Sequence, residues 1–212
     1  MYMPPAFRED RLEALHEVMR RNPLATLITA AAGLAANHVP MLIDPEGGSK
    51  GLGVLRAHLA RANAQTKLAG EVDALVLFLE VDHYVTPSWY ETKRQTGRVV
   101  PTWNYVAVHA TGRLRVVDDP AWLRRQIEAL TAEHEGRRAT PWAVSDAPED
   151  FVVAQMRAIV GIEIDILDLQ GKWKLSQNRT EADRRGVADG LGREDDASGR
   201  IMAGLIDRGN PT

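Results

Sequence analysis

The run from Arg56 to Asn63 concentrates side chains that can hold an anion. Its sequence, RAHLARAN, contains two arginines, a histidine and an asparagine. If the run begins as a β-strand, alternation places Arg56 and His58 on one face, and Arg61 and Asn63 lie just past its end. Guanidinium groups offer paired donors that match the oxygens of a phosphate. The run therefore indicates a phosphate site, or alternatively a solvated basic rim with one core histidine.

Two further segments combine aromatic rings with hydrogen-bonding groups. Tyr84–Arg94, YVTPSWYETKR, reads as a loop rich in large aromatic side chains, whose burial dominates the energetics of interfaces and pockets. Val99–Tyr105, VVPTWNY, offers the hydroxyl of Thr102, the ring of Trp103 and the amide of Asn104 at the start of a strand. This mixture suits a planar heteroaromatic ligand. Packing between subunits and a bent barrel strand are the respective alternatives.

Other kinds of site find little support in the sequence. Lys172–Arg179, KWKLSQNR, adds an amine, a hydroxyl and an amide, but does not by itself specify a ligand. No histidine or carboxylate spacing is typical of a local metal motif. Ser88 and Ser176 lack the GxSxG context of a hydrolase nucleophile. His134-Glu135 reads as a solvated pair near a helix end. No catalytic residue and no metal ligand is therefore assigned.

Composition narrows the class of protein. The chain has 212 residues, 44% hydrophobic and 26% charged, which is ordinary for a soluble globular protein. It contains no cysteine, which excludes disulfides, thiolate metal sites and thiol catalysis. No apolar run approaches the roughly 20 residues that a membrane span requires, and the first ten residues lack the apolar segment of a secretion signal. We expect a cytoplasmic protein of bacterial type.

The net charge of −3 gives the chain no general attraction for nucleic acid. Binding to DNA would require a local basic patch. The candidates for such a patch are three arginine pairs and one further arginine: Arg124-Arg125, Arg137-Arg138, Arg184-Arg185 and Arg179.

The elements that must position these groups follow from hydrophobic patterning and turn residues. Residues 74–81 are almost entirely apolar, which predicts a strand buried on both faces. Residues 34–44 should pair with 24–30 as a hairpin, with Pro40 at an edge or a bulge. The predicted strands are 24–30, 34–44, 52–59, 74–81, 99–117 as one or two strands with a bend near Gly112, and 160–169, followed by a turn at Gln170-Gly171 and a continuation at 173–175. The predicted helices are 10–22, 121–134, 151–159 and two short, glycine-broken helices after Thr180.

About six strands with helices inserted between them fit one α+β barrel domain. Repeating βαβ units are absent, and no GxGxxG follows a predicted strand. A dinucleotide-binding Rossmann fold is therefore not expected.

The same segments, in the same order, resemble a known family over nearly the whole chain. They resemble the PaiB family, described as FMN-binding negative transcriptional regulators. The motifs that carry the resemblance are Met1-Tyr2 with Pro4 and Phe7, His38-Val39-Pro40, HLARAN, TPSWYETK, VVPTWNYVAVHATG, LTAEHE, AIVGIEI, KLSQNR and DRRGV.

The resemblance implies an FMN-binding split β-barrel with peripheral helices. This fold is related to pyridoxamine-phosphate oxidases and to haem-degrading split-barrel proteins. It implies a homodimer with two flavins across the interface. The expected layout is a single domain over residues 1–212, with a helical insertion at about 120–159 and a C-terminal helical extension at about 180–208.

The resemblance also implies where the flavin is held, namely around Gly53–Asn63 and Val99–Tyr105. Arg61 and Asn63 would grip the phosphate, and the ring system would lie along Asn37–Met41 and meet the partner's strand that begins at Thr102. Many family members have RANP where this chain has Ala64, which should relax the loop without removing a phosphate donor. The implied cofactor-binding residues are Asn37, His38, Arg56, His58, Arg61, Asn63, Ser88, Lys93, Thr102, Trp103, Asn104, Lys174, Ser176 and Gln177.

Two functions of different classes fit this fold. The first is a dimeric repressor whose flavin state alters its interaction with DNA or with another protein. The second is an FMN-dependent oxidoreductase acting on a small molecule or on haem. An interaction protein that has lost its flavin is a third interpretation. The fold hosts all of these, so the fold alone does not select among them.

Overall fold

The computed structural model describes residues 1–209. Short 3₁₀ turns cover Pro5–Phe7, Ala64–Thr66, Pro87–Trp89 and Val144–Asp146. The strands are β1 (Arg8–Glu9), β2 (Leu24–Thr29), β3 (Ala35–Pro40), β4 (Leu42–Asp44), β5 (Val54–Ala60), β6 (Val72–Val85), β7 (Thr102–Val117) and β8 (Ile159–Lys174). The α-helices are α1 (Leu12–Arg21), α2 (Glu91–Thr96), α3 (Pro120–Glu135), α4 (Glu149–Arg157), α5 (Glu181–Arg193) and α6 (Ala197–Arg208).

The strands form one sheet in the order β3-β2-β6-β7-β8-β5-β4, and β1 pairs with β8. The pairings of β1 with β8, β2 with β3 and β6, and β5 with β4 and β8 are all antiparallel. β3 and β4 stand at opposite ends of this order, yet only Met41 separates them in sequence. One residue spans only about 7 Å between its neighbours' Cα atoms. The sheet must therefore curl into an antiparallel half-barrel, which confirms the predicted α+β class.

The chain divides into two compact units. The barrel unit comprises residues 19–78 and 110–169. The terminal unit comprises residues 1–18, 79–109 and the described residues from 170 onward. β6, β7 and β8 each run from one unit into the other.

Each unit has its own apolar core. In the barrel unit, alternate residues of β5, including Leu55 and Leu59, are buried together with Ile162 and Ile164 of β8. In the terminal unit, the inward faces of α5 and α6 supply the buried side chains, which are Val187, Leu191, Met202 and Ile206.

Several predicted boundaries are confirmed. α1 ends just before Asn22-Pro23, where the proline disfavours further helix. α3 begins at Pro120, and the carboxylate of Asp119 accepts hydrogen bonds from the amides of Ala121 and Trp122 at 2.8 and 3.3 Å. Proline at the first helical position and an aspartate cap together explain this start.

Two strand predictions were wrong in part. Residues 34–44 form two strands rather than one, because β3 ends at Pro40 on the edge of the sheet and β4 pairs with β5 instead. β6 buries Ala74, Val76 and Phe78, but on its other face Leu75 and Leu77 are only half-buried and Leu79 is 57% exposed. A continuous apolar run cannot distinguish a strand buried on both faces from one whose second face is left uncovered within a single chain.

Glycines predicted to break elements instead allow close approach. β8 continues through Gly171 rather than turning, and a Cβ there would lie 2.2 Å from Cδ2 of Leu15. α5 likewise continues through Gly186 and Gly190. A Cβ at Gly190 would lie 2.4 Å from the ring of Trp89, and one at Gly186 would lie 2.1 Å from its carbonyl oxygen. The absent side chains let backbone and indole pack in contact.

Candidate functional site

β5 presents the polar face that alternation predicts. Leu55, Ala57 and Leu59 are buried, whereas Arg56 and His58 are half-buried on the opposite face. The shared face of Arg56 and His58 is thus confirmed. Arg61 and Asn63 follow the last strand residue, as predicted.

Arg56 belongs to an ion-pair network around a buried carboxylate. Its Nη2 lies 2.9 Å from Oδ2 of Asp44, and its Nε donates to Oε1 of Glu163 at 3.1 Å. Glu163 is 8% exposed, and it also accepts from Nε1 of Trp122 at 3.1 Å and from Nη2 of Arg115. The strand register explains the contact, because Arg56 pairs directly with Glu163 across β5 and β8. Arg56 therefore compensates charges of its own unit.

Arg61 forms a bidentate pair with Asp118. Its Nη1 and Nη2 donate to the two carboxylate oxygens at 2.7 and 2.8 Å. Its Nε and Nη2 also donate to the carbonyl oxygens of Arg157 and Ile159 at 3.2 and 3.1 Å. Their mutual hydrogen bonds raise the pKa of Arg61 and lower the pKa of Asp118. A phosphate at this position must therefore exchange with Asp118.

Asn63 organises a polar network beneath the 3₁₀ turn. Its Oδ1 accepts from the amide of Gln65 at 2.9 Å. Gln65 is 2% exposed, and its Nε2 donates to Oγ1 of Thr29 at 3.0 Å while its Oε1 accepts from Nδ2 of Asn37 at 2.7 Å. The structure thus links two predicted site residues, Asn37 and Asn63, through Gln65. Gln65 was missed from the sequence, although it lies two positions beyond the HLARAN motif.

The two histidines predicted for this site differ in their partners. Nδ1 of His58 is buried and has no hydrogen-bond partner within residues 1–209. Burial lowers the pKa of His58, which favours the neutral ring. A neutral imidazole with an unpartnered nitrogen can bond to a ligand as donor or acceptor. His38 lies at the edge strand, with its Nδ1 3.1 Å from Oγ1 of Thr26.

In the terminal unit, four predicted residues lie together where β7 begins and β8 ends. Nζ of Lys174 donates to Oγ1 of Thr102 and, at 2.5 Å, to the carbonyl oxygen of Trp103. Burial, with contributions from nearby cationic side chains, lowers the pKa of Lys174. Asn104 is fully buried and donates to Oγ of Ser176 at 3.0 Å. We call Thr102, Asn104, Lys174 and Ser176 the β7–β8 cluster.

The remaining predicted residues of this unit have local partners. Gln177 closes the end of β8 by donating to the carbonyl oxygen of Trp173 at 2.6 Å and accepting from the amide of Leu175 at 2.7 Å. Nζ of Lys93 donates to Oγ of Ser88 at 3.1 Å in an exposed position.

Trp103 is an exposed aromatic ring of this region. It is 54% exposed and packs edge-on against Tyr84, with ring centroids 6.0 Å apart.

Within residues 1–209, no group of three or more histidine, aspartate or glutamate side chains is arranged to hold a metal ion. None of the described helices has both the length and the apolar character needed to cross a membrane.

A family model described as "Putative FMN-binding domain" matches residues 1–168. The chain belongs to this family. An uncharacterized protein of Emericella nidulans is 37% identical, across 97% of this chain and 96% of its own length. Protease synthase and sporulation protein PAI 2 of Bacillus subtilis is 28% identical, across 98% of this chain and 97% of its own length. The resemblance to the PaiB family is thereby confirmed.

Among solved structures, the FAD and heme binding protein of Mycobacterium smegmatis resembles this chain in fold. The TM-score is 0.57 over 79% of this chain and 73% of that one, with 18% sequence identity. At this identity the likeness supports the fold alone.

Proposed function

We propose that this protein is an FMN-binding homodimer that acts as a negative regulator of transcription. The family match over residues 1–168 carries the proposal, together with the polar groups that cluster after β5. FMN supplies a planar ring system and a terminal phosphate.

Arg61 and Asn63 hold the phosphate in this proposal, with His58 and Arg56 beside them. Arg61 and Asp118 are both partly exposed, with 44% and 63% of their side chains in water. Exposed ion pairs contribute little stability, so a phosphate dianion can replace Asp118 at small cost. The unpartnered Nδ1 of His58 is a further group that a ligand can satisfy.

The ring system lies along β3, at Asn37 and His38, and the partner protomer contributes its strand starting at Thr102. The exposed pair of Tyr84 and Trp103 supports a contact with a second chain, because exposed aromatic surface is typical of interfaces. The remaining proposed cofactor residues are Ser88, Lys93, Trp103, Asn104, Lys174, Ser176 and Gln177.

The arginine pairs do not add support for direct DNA contact. Arg124 donates to Glu128 at 2.7 Å and to Glu149 at 3.0 Å. Arg138 is similarly paired with Glu135, and Arg185 with Glu181. Local carboxylates thus compensate at least one arginine of each pair, which lowers the positive charge available for a basic patch. The regulatory role therefore rests on the relationship to the PaiB family.

Titration of the purified chain with FMN, followed by quenching of flavin fluorescence, tests the cofactor. Arg61→Ala should weaken binding about tenfold or more, because a charge-assisted hydrogen bond to the phosphate is lost. Arg113→Ala is the matched control, since it removes another exposed, ion-paired arginine of the barrel unit and should leave the affinity unchanged. If the wild-type chain does not bind FMN, the cofactor proposal is wrong.

A gel-shift experiment at physiological salt, with DNA from upstream of the protein's own gene, tests the regulatory role. Specific binding that survives this salt supports direct repression, whereas low-salt binding alone does not.

Rapid flavin reduction by NAD(P)H with catalytic turnover would favour the oxidoreductase alternative. Light scattering of wild type and Trp103→Ala tests the dimer, which the substitution should weaken.

A further inference from the structure

A cleft of about 470 Å³ lies in the barrel unit between α3 and the β4–β5 pair. Leu42 and Ile43 of β4 and Ala129 of α3 give it apolar walls. Its volume lies in the range of small-molecule sites, about 300–1,000 Å³. We call it the α3 cleft.

Trp122 makes one wall of the α3 cleft rigid. Its Nε1 is bound to Glu163 at 3.1 Å. Its ring lies so close to Gly161 that a Cβ there would be 2.2 Å from Cζ3 of Trp122. Hydrogen bonding at one edge of the ring and packing against its surface hold the indole in place, so this wall of the cleft is preformed.

The charges lining the cleft leave one guanidinium uncompensated. Asp44 is paired with Arg56 at 2.9 Å, and Glu133 lies 4.0 Å from Nη2 of Arg137. Arg125 is exposed and has no hydrogen-bond or ion-pair partner within residues 1–209. Each carboxylate of the lining thus has its own arginine, and Arg125 has no carboxylate.

Gln126 also lines the cleft and has an unsatisfied donor. Gln126 is 4% exposed, and its Nε2 has no hydrogen-bond partner in the described part of the chain. A buried amide without a partner is costly, so such a group points to a missing acceptor. The terminal amide torsion of glutamine is broad and roughly two-fold, so Nε2 can turn toward an acceptor in the cleft with little strain.

We propose that the α3 cleft binds a small organic monocarboxylate. The carboxylate accepts hydrogen bonds from Arg125 and Gln126, and the apolar body of the ligand packs against Leu42, Ile43 and the Trp122 ring. A single uncompensated positive charge favours a monoanion, because a second negative charge would find no unpaired cation in the lining. Arg56 lines this cleft and also lies beside the proposed FMN phosphate, but its guanidinium is paired with Asp44 and Glu163, so the carboxylate is held by other residues than the phosphate. The cleft thus gives a protein of this family a second small-molecule ligand.

Calorimetric titration of the full-length protein with hexanoate, benzoate and phenylacetate tests the proposal, with 1-hexanol and hexylammonium as uncharged and cationic counterparts. At least one carboxylate should bind with one site per chain, and neither counterpart should bind. Arg125→Gln should weaken binding about tenfold or more, because a charge-assisted contact is lost. Arg98→Gln, which removes an exposed arginine of the terminal unit, is the matched control and should leave it unchanged.

A second measurement reads Gln126 directly. In a ¹H–¹⁵N spectrum, the side-chain amide signal that disappears in Gln126→Met belongs to this residue. That signal should shift as the bound carboxylate saturates the protein. Saturating FMN should leave the carboxylate affinity unchanged.

Four outcomes would overturn the proposal. They are no carboxylate binding up to about 10 mM, which corresponds to negligible affinity; equal binding of hexanoate and 1-hexanol; an affinity unaffected by Arg125→Gln; and competition between FMN and the carboxylate. The last outcome would place the carboxylate at the phosphate site and would leave the FMN proposal standing. Failure of FMN to bind, with the carboxylate still bound, would remove only the FMN proposal.

Discussion

Two groups of residues were predicted to hold a ligand. One group lies along β5 and just after it, and the other is the β7–β8 cluster. Different forces organise the two groups. Around β5, guanidinium groups pair with Glu163 and Asp118, far along the chain. In the β7–β8 cluster, the fully buried Asn104 bonds to a hydroxyl, and the one charge belongs to Lys174. Charge pairing that remains partly open to water can exchange partners with an anion, whereas a buried amide network holds backbone segments in place.

The largest effect should come from the ion pairs around β5. Glu163→Ala removes the acceptor of two arginines and an indole, and we expect the free energy of unfolding to fall by about 3 kcal/mol, the lower end for a broken buried ion pair because Arg56 and Arg115 are partly exposed. Urea unfolding followed by circular dichroism measures this loss. Asp73→Asn, which breaks an exposed pair in the same unit, should cost less than about 0.5 kcal/mol. Equal losses would contradict the central place of Glu163.

The second effect concerns the buried amide and hydroxyl of the β7–β8 cluster. Asn104→Ala should lower the free energy of unfolding by about 2 kcal/mol, because it leaves the hydroxyl of buried Ser176 without its partner. A double-mutant cycle with Ser176→Ala should give a coupling of about 1 kcal/mol. Additive losses would mean that the two side chains contribute independently.

The third effect distinguishes β5 from the β7–β8 cluster by the pH range in which the free energy of unfolding changes. Burial lowers the pKa of His58 from its ordinary value of 6.5 and that of Lys174 from 10.5. Between each lowered pKa and the ordinary value, the unfolded chain binds more protons, so stability rises with pH there, by at most about 1.4 kcal/mol per pH unit and proton. The burial of His58 should therefore lower the free energy of unfolding as the pH falls below 6.5. For Lys174, the free energy of unfolding should rise as the pH increases toward 10.5.

Unfolding measured across pH checks these two windows. His58→Gln should flatten only the acid side of the profile, and Lys174→Met only the alkaline side. If His58→Gln leaves the acid side of the profile unchanged, the burial of His58 does not cause the loss of stability there.

The smallest effect compares the caps of two 3₁₀ turns. The side chain of Asn63 accepts from the amide of Gln65 at 2.9 Å, whereas that of Thr86 accepts from the amide of Ser88 at 3.3 Å. Asn63→Ala should cost about 1 kcal/mol and Thr86→Ala about 0.5 kcal/mol, since capping strength follows the hydrogen bond. Thermal unfolding resolves the difference, and the reverse order would show that the loop after β5 does not depend on its cap.

Local pattern was sufficient for the parts of the fold that depend on near neighbours. Alternation placed Arg56 and His58 on one face of β5, and the Asp119-Pro120 pair marked the start of α3. Gly171 was misread as a turn because a glycine needed for close packing looks the same in sequence as one needed for a turn. The partners of Arg56 and Arg61 were missed because Glu163 and Asp118 lie 107 and 57 residues away.

Hydrophobic periodicity, capping residues and ordered motifs are local properties, so the class of fold, the family and the segments where polar groups collect can all be inferred from the amino-acid order. Which of those polar groups are already paired, and which remain available, depends on tertiary contacts. Arg61 is held by Asp118, whereas Arg125 and the amide of Gln126 have no partners in residues 1–209. The reason is physical: a hydrogen bond or an ion pair depends on a few ångströms between residues that the chain brings together only when the sheet curls and α3 packs against it.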